Sequence, residues 1–424
     1  MPHPNSHAAL RALLAELRIV DTHEHLGREE WHASQPADIC QDLFLNYIEH
    51  ELAVAGATKE AIRALLDPAA GHPADRFAAI EPAWRLCRHT GYGDAVRRIA
   101  TLAYDIDEIT PGAIRLAAPQ ATRWSGPGKR LEILRDHARL DHVQIDYQQH
   151  LNPPDHPEHH FFYYDLNLRV LCNAEFDPAA LHKDTGIEVR DTASLLATME
   201  FLFEREAPRS IAFKTQHAYD RTLAWSPRTD AEADAVLQRK LRGEALPPAE
   251  KDCLGDWCWD HLARLCAEHA LPMKHHTGYY ARSNEMVTER IRAGLMCPLM
   301  LKHPRTKFVL MHIAWPCQEE MLALAKHFEN AWVDMCWAWS INPRAAGEFV
   351  RRAVHCVPAN RLLGFGGDSW RPLASWAYAE QARDGMARAL AEEVEDGTLT
   401  LADAEELATR WMRGNALELF DREK

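Results

Sequence analysis

No stretch of the chain reaches the roughly 18 consecutive apolar residues that a membrane-crossing helix needs, and the N-terminal MPHPNSHAALRALLAELR is broken by Arg11 and Glu16. Neither a transmembrane segment nor a signal-peptide core is expected, and a cytoplasmic location is the default. The sequence also lacks a block of Lys and Arg, and its formal net charge is −14. A nucleic-acid backbone or an anionic membrane surface is therefore not an expected partner. CxxC pairs are absent as well. The ten cysteines are scattered from Cys40 to Cys356, and Cys253 and Cys258 in DCLGDWCW stand alone. That excludes a disulfide scaffold and a zinc ribbon, and fits reduced, buried thiols. Internal repeats and low-complexity tracts are missing too.

What is present is an ordinary globular composition, 47% hydrophobic and 26% charged over 424 residues, enough to bury a large core. Short apolar runs recur that suit strands buried on both faces: LRIVDTH, DHVQIDY, LRVLCN, SIAFKT, LPMKHHT, KFVLMHI, AWVDMCW and RLLGFGGD. Segments with helical spacing lie between most of them, such as DTASLLATMEFLFERE from Asp191 and CQEEMLALAKHFEN after Pro316. Alternating β and α with eight such runs predicts an α/β fold, a distorted (β/α)8 TIM barrel.

The expected layout is one domain over residues 1–424 with a helical insertion after the first strand, at about 27–122, and a C-terminal helix at about 400–420. The insertion carries LFLNYIEHELAVAG, RFAAIEPAWRLCRHTGYG and DAVRRIATLAY, which read as helices, because a structureless loop of that length is improbable in a compact domain. A second interruption, residues 218–254, falls between the fourth and fifth runs.

A barrel gathers the C-terminal ends of its strands at one mouth. The first run ends in His23 and His25, the fourth in Lys214, the fifth in His275 and His276, the sixth in His312 and the eighth in Asp368. Residues two apart in a strand face the same way, so His23 and His25 form a chelating pair. Neutral imidazoles with a carboxylate suit zinc or a similar divalent ion. By the same alternation His275 faces the helix layer, and Glu24 points away from the pair and receives no role.

The ordered series VDTHEHL, HHTGYY, VLMHIAWP, LGFGGDS and GNALELF resembles the amidohydrolase superfamily. IAFKTQHAYDR and HHTGYY are similar to the branch that includes amidohydrolase domains fused to glutamine-synthetase-like proteins. The resemblance implies a metal-dependent enzyme with one or two divalent ions at the mouth, zinc first, with manganese, iron or nickel as alternatives. It implies His23, His25, His276 and Asp368 as ligands, with Asp368 also a proton acceptor. His312 would be a ligand of a second ion or a catalytic acid. Lys214 would be a bridging carbamate or an ammonium that holds a substrate carboxylate. Arg221, Tyr279 and Arg371 follow strand ends where substrate would sit, as do Tyr219, Tyr280 and Trp370. The cluster HLNPPDHPEHHFFYY, with His150, His156, His159 and His160, reads as a mouth loop with surface histidines.

The expected reaction is hydrolysis of a C–N or C–O bond in a small, carboxylated substrate by metal-activated water. Non-oxidative decarboxylation is the alternative. Uronate isomerases share the barrel and the insertion, but VLMHIAWP is unlike their sixth strand, and a non-catalytic metal-loaded binding protein leaves Asp368 without a task. A small-molecule substrate and a homo-oligomer are expected, with no nucleic-acid or membrane partner.

Overall fold

Apolar runs buried on both faces need helices on the outside and side-chain packing within, and a closed parallel barrel supplies both. The computed structural model describes residues 6–148, 160–281 and 286–420. One eight-stranded sheet runs in chain order: β1 (Ile19–Glu24), β2 (Leu140–Ile145), β3 (Phe162–Asn167), β4 (Ser210–Thr215), β5 (Met273–His275), β6 (Phe308–Leu310), β7 (Ala331–Asp334) and β8 (Leu362–Leu363). Each strand pairs in parallel with the next. The ring closes between β8 and β1, where Thr22 N–H donates to the Phe365 carbonyl at 3.2 Å and Asp368 N–H to the His23 carbonyl at 2.8 Å. Helices surround the sheet, giving an α/β (β/α)8 barrel.

The third strand corrects the sequence reading. It is FYYDLN, whereas Arg169–Cys172 of LRVLCN form a short helix. Asn167 ends the strand and its side-chain oxygen accepts the Arg169 N–H at 3.0 Å, turning the chain out of the sheet. The apolar run that follows has one buried face, with Leu171 and Cys172 inside and Val170 exposed. Its hydrophobicity belongs to a helix face rather than to a strand.

Between β1 and β2 the chain forms a series of short helices, from Glu29–Ser34 to Pro111–Ala117. Several begin at a side-chain cap: Asp38, Thr58, Thr90 and Thr110 each accept the backbone N–H three residues on. Phe44 stacks on Phe77 at 5.7 Å and meets Trp84 edge-on at 5.6 Å, so the insertion has its own aromatic packing. At the C-terminal end, the helix Leu401–Thr409 continues through a π-helical turn, Arg410–Gly414, into Asn415–Leu419. Ala416, Leu419 and Phe420 pack with Val20, Ala212, Val309 and Leu363, filling the barrel interior away from the mouth. Among the described residues, no helix is long and apolar enough to cross a membrane.

Candidate metal centre

The mouth is built where strands end and the backbone turns sharply. β1 shows register shifts against β2 between Ile19 and Asp21 and again between Asp21 and Glu24. Such irregularities re-aim side chains at a barrel rim. His312, Trp337 and Asp368, which follow β6, β7 and β8, all have positive φ, 64°, 63° and 56°. Left-handed backbone at residues other than glycine costs of order 1–3 kcal/mol each and clusters at functional sites.

Asp368 is the centre of the arrangement. Its Oδ1 lies 3.6 Å from Nε2 of His23 and 3.3 Å from Nε2 of His25, and its Oδ2 lies 3.6 Å from Nε2 of His312. The outer nitrogens are held by the protein: Nδ1 of His25 donates to the Asp146 carbonyl at 2.9 Å and Nδ1 of His312 to the Cys336 carbonyl at 2.9 Å. His276 is reversed. Its Nε2 donates to the Tyr279 carbonyl at 3.0 Å, leaving Nδ1 with the lone pair, and its ring centroid lies 4.4 Å from that of His312. These bonds set the tautomers, so each neutral ring keeps one nitrogen for a ligand.

Burial, the nearby Lys214 ammonium and the other imidazoles push His23 well below its usual pKa, and burial with His312 does the same to His276. Burial lowers His312 to about 4 against the opposing pull of Asp368. All three rings are therefore neutral at pH 7, the state that binds a cation. Nε2 of His312 and Nδ1 of His23 are buried without hydrogen-bond partners. Among the described residues, His23 with His25 and Asp146, and His312 with Cys336 and Asp368, form two groups whose ligand atoms lie within 4.8 Å of one another.

The structure brings His23, His25, His276, His312, Asp368 and Lys214 together, with Nζ of Lys214 3.1 Å from Nε2 of His23. His275 faces the helix layer, where it accepts from the Trp259 indole at 3.0 Å. Glu24 is buried beside Gly367 and Ser369, and its carboxylate accepts the Ser369 N–H. Arg371 is buried, one nitrogen bonded to Asp42 at 3.0 Å and Nη1 unpartnered, and the Tyr279 ring stands 5.8 Å from Trp337. Arg221 is a correction. Its guanidinium binds Asp256 at 2.5 Å and the carbonyls of Cys172, Asp252 and Ala224, so its donors are engaged by the protein and none remains for substrate. His150, His156 and His159 lie outside the described residues, and His160 is exposed.

Several residues at the site escaped the sequence reading. Tyr47, from the helical insertion, donates its hydroxyl to Oδ1 of Asp368 at 3.3 Å and packs on Trp337 at 4.3 Å. Trp337, too, was unmarked, and it packs edge-on against His312 at 5.5 Å, while Trp370, which the sequence did place after a strand end, stacks on His25 at 5.6 Å. On β3, Asp165 forms a fully buried ion pair with Lys274 at 2.9 Å, and its other oxygen lies 3.9 Å from Nδ1 of His23. The FYYDLN alternation carried the signal for Asp165; nothing in the local pattern marks Tyr47.

Residues 145–422 match the model of the amidohydrolase family. Over 225 residues, 50% of this chain, the sequence is 23% identical to Protein fluG of Emericella nidulans, and the match takes in 26% of that protein. This chain thus spans about a quarter of that relative's length. Among solved structures, the fold is similar to a uronate isomerase of Thermotoga maritima (TM-score 0.79, 15% identity, covering 98% of this chain and 97% of that one). It is equally similar to a glucuronate isomerase of Caulobacter crescentus (TM-score 0.79, 17% identity, 100% and 96% covered). A Lactobacillus casei protein described as a metal-dependent hydrolase matches with a TM-score of 0.65 at 17% identity, with 98% of both chains covered. At these identities the structural likeness speaks for the fold, while the family match runs from the end of β2 through the closing helix and takes in His276, His312 and Asp368. The chain is an enzyme of the amidohydrolase family.

Proposed function

We propose that this enzyme is a metal-dependent hydrolase that cleaves a C–N or C–O bond in a small carboxylated substrate. The observation that carries the reading is the convergence of three imidazole Nε2 atoms, those of His23, His25 and His312, within 3.6 Å of one carboxylate, Asp368. Neutral imidazoles around a carboxylate, with Nε2 of His312 buried and unpartnered among them, fit a divalent cation. His23, His25, His276 and Asp368 would hold it, and zinc suits this donor set best. When bound, the ion lowers the pKa of water at the site and polarises the bond to be attacked.

The chain's own groups supply the rest. Asp368 takes a proton from the attacking water and returns it to the leaving group. Tyr47, donating to Oδ1 of Asp368, orients that carboxylate. Because Nδ1 of His312 donates to a carbonyl, its neutral ring presents a lone pair at Nε2. That supports a ligand role over a catalytic acid. Lys214 serves either as a carbamate ligand or as an ammonium for the substrate carboxylate, and Nη1 of Arg371, buried and unpartnered, offers a second carboxylate donor. The aromatic wall of Trp370, Trp337, Tyr47 and Tyr279 shields the reaction from water.

Uronate isomerisation is the second reading, favoured by the likeness to two isomerases over nearly the whole chain. The placement of His312 beside Asp368 argues for hydrolysis. The test is a substrate screen of N-acyl, ester, lactam, carboxylate and uronate compounds that follows incorporation of labelled water, carbon dioxide release and ketose formation. Label in the product supports hydrolysis. Carbon dioxide without label replaces it with decarboxylation, and ketose from a uronate replaces it with isomerisation.

A further inference from the structure

Cys336 is a buried thiol at the mouth that the proposed reaction leaves without a task. It lies two residues beyond Asp334, the last residue of β7. Asp334 faces the barrel interior, accepting the Thr22 hydroxyl at 2.8 Å. The thiol is fully buried, and a Cβ placed on Gly366 would lie 2.9 Å from Sγ, so it sits against a glycine two residues before Asp368. Sγ of Cys336, a ring nitrogen of His312 and a carboxylate oxygen of Asp368 lie within 4.8 Å of one another. Nε2 of His312 is fully buried, has no hydrogen-bond partner and stands 3.6 Å from Oδ2 of Asp368, one of the carboxylate oxygens available to the same group. The backbone holds the group in register. Cys336 N–H donates to Asp334 at 2.8 Å, and its carbonyl accepts from Nδ1 of His312 at 2.9 Å, so the residue that offers the sulfur also sets which histidine nitrogen keeps its lone pair.

We propose that His312, Cys336 and Asp368 form a second metal station, with the Cys336 sulfur as a ligand, that takes a thiophilic divalent ion such as zinc or cobalt. This rests on the metal reading of the first station. Asp368 serves both: Oδ1 faces His23 and His25, and Oδ2 faces His312. Zinc with one sulfur and nitrogen or oxygen ligands holds its donors about 3.3–3.6 Å apart at tetrahedral angles, a modest contraction of the present triangle. Ligation breaks the S–H bond and forms a sulfur–metal bond, and the proton leaves to solvent with no change of oxidation state. A thiolate ligand selects zinc or cobalt over magnesium or manganese, which prefer oxygen donors.

The test uses the full chain stripped of metal and titrated with cobalt(II) alone, reading bound cobalt per chain and the near-ultraviolet sulfur-to-cobalt charge-transfer band. The expected result is a band that grows with the second equivalent. It is lost in Cys336→Ser, whose second ion binds at least tenfold more weakly, and kept in Cys258→Ser, a control at a buried helix thiol. Cobalt bound without a sulfur band, or a band that persists in Cys336→Ser, overturns the second station and leaves the hydrolase reading standing. No bound cobalt at all overturns the metal reading and this proposal with it. Should Cys336→Ser fail to fold, cadmium-113 resonance of the unaltered protein reads the same ligand: a sulfur-shifted signal supports it, and signals only in the nitrogen and oxygen range overturn it.

Discussion

Asp368 stands between three imidazoles and the Tyr47 hydroxyl, and its replacement by Asn conserves volume while removing the proton acceptor. Asp368→Asn is expected to keep the fold and lose about a hundredfold to ten-thousandfold in turnover, the usual weight of acid–base catalysis; unchanged turnover would remove Asp368 from the chemistry. His25→Ala should lower bound metal by elemental analysis, because its Nε2 is one of the converging nitrogens. Full occupancy in the folded His23→Ala, His25→Ala double variant would sink the ligand assignment. Lys214, 3.1 Å from His23, separates two arrangements. If it is a carbamate, Lys214→Ala loses metal, and short carboxylates restore part of the activity. If it is an ammonium, metal content stays and acidic substrates bind more weakly. These residues were readable in the chain because each ends a strand with a side chain of unmistakable chemistry. Tyr47 and Cys336 were not, since a tyrosine within helical spacing and a cysteine within an apolar run look like core.

At the scale of elements, β3 and the closing helix decide what lies beneath the mouth. Asp165 on β3 balances Lys274 on β5 in the barrel interior, both fully buried. Asp165→Asn leaves that ammonium without its counter-charge and should cost about 3–5 kcal/mol by urea unfolding, as breaking one partner of a buried pair does; a loss under 1 kcal/mol would show that Lys274 finds another partner. Phe420, among Val20, Ala212, Val309 and Leu363, closes the far end of the barrel. The sequence pattern placed seven of the eight strands. It failed at β3 because periodicity over a short apolar run cannot tell a buried strand from a helix face, and the Asn167 turn that separates FYYDLN from Arg169–Cys172 is a side-chain contact.

The whole molecule carries many buried histidines, and that gives its stability a pH dependence. Burial and the adjacent Arg221 hold His217 well below the ordinary 6.5, with its Nδ1 hydrogen-bonded to Thr215 at 2.9 Å. A histidine whose folded pKa is depressed binds its proton first in the unfolded chain. Its stabilising neutral state is fully present above pH 6.5 and is lost as pH falls below it, by about 1.4 kcal/mol per pH unit for each such ring. With chelator present throughout, the urea midpoint should fall between pH 6.5 and pH 5.5. His217→Gln should flatten that slope, and an identical slope in the variant would show that other groups govern it.

Residue order along the chain by itself determined the α/β barrel, the insertion after β1 and a mouth carrying His23, His25, Lys214, His276, His312 and Asp368. Apolar strand runs alternate with helical segments, and backbone alternation dictates which residues face together. Tertiary structure alone decided the remainder. It turned Arg221 onto Asp256, brought Tyr47 from the insertion to Asp368, and set Cys336 beside His312. Those contacts join residues far apart in sequence, and their geometry depends on bulges, left-handed turns and packing that no local pattern encodes.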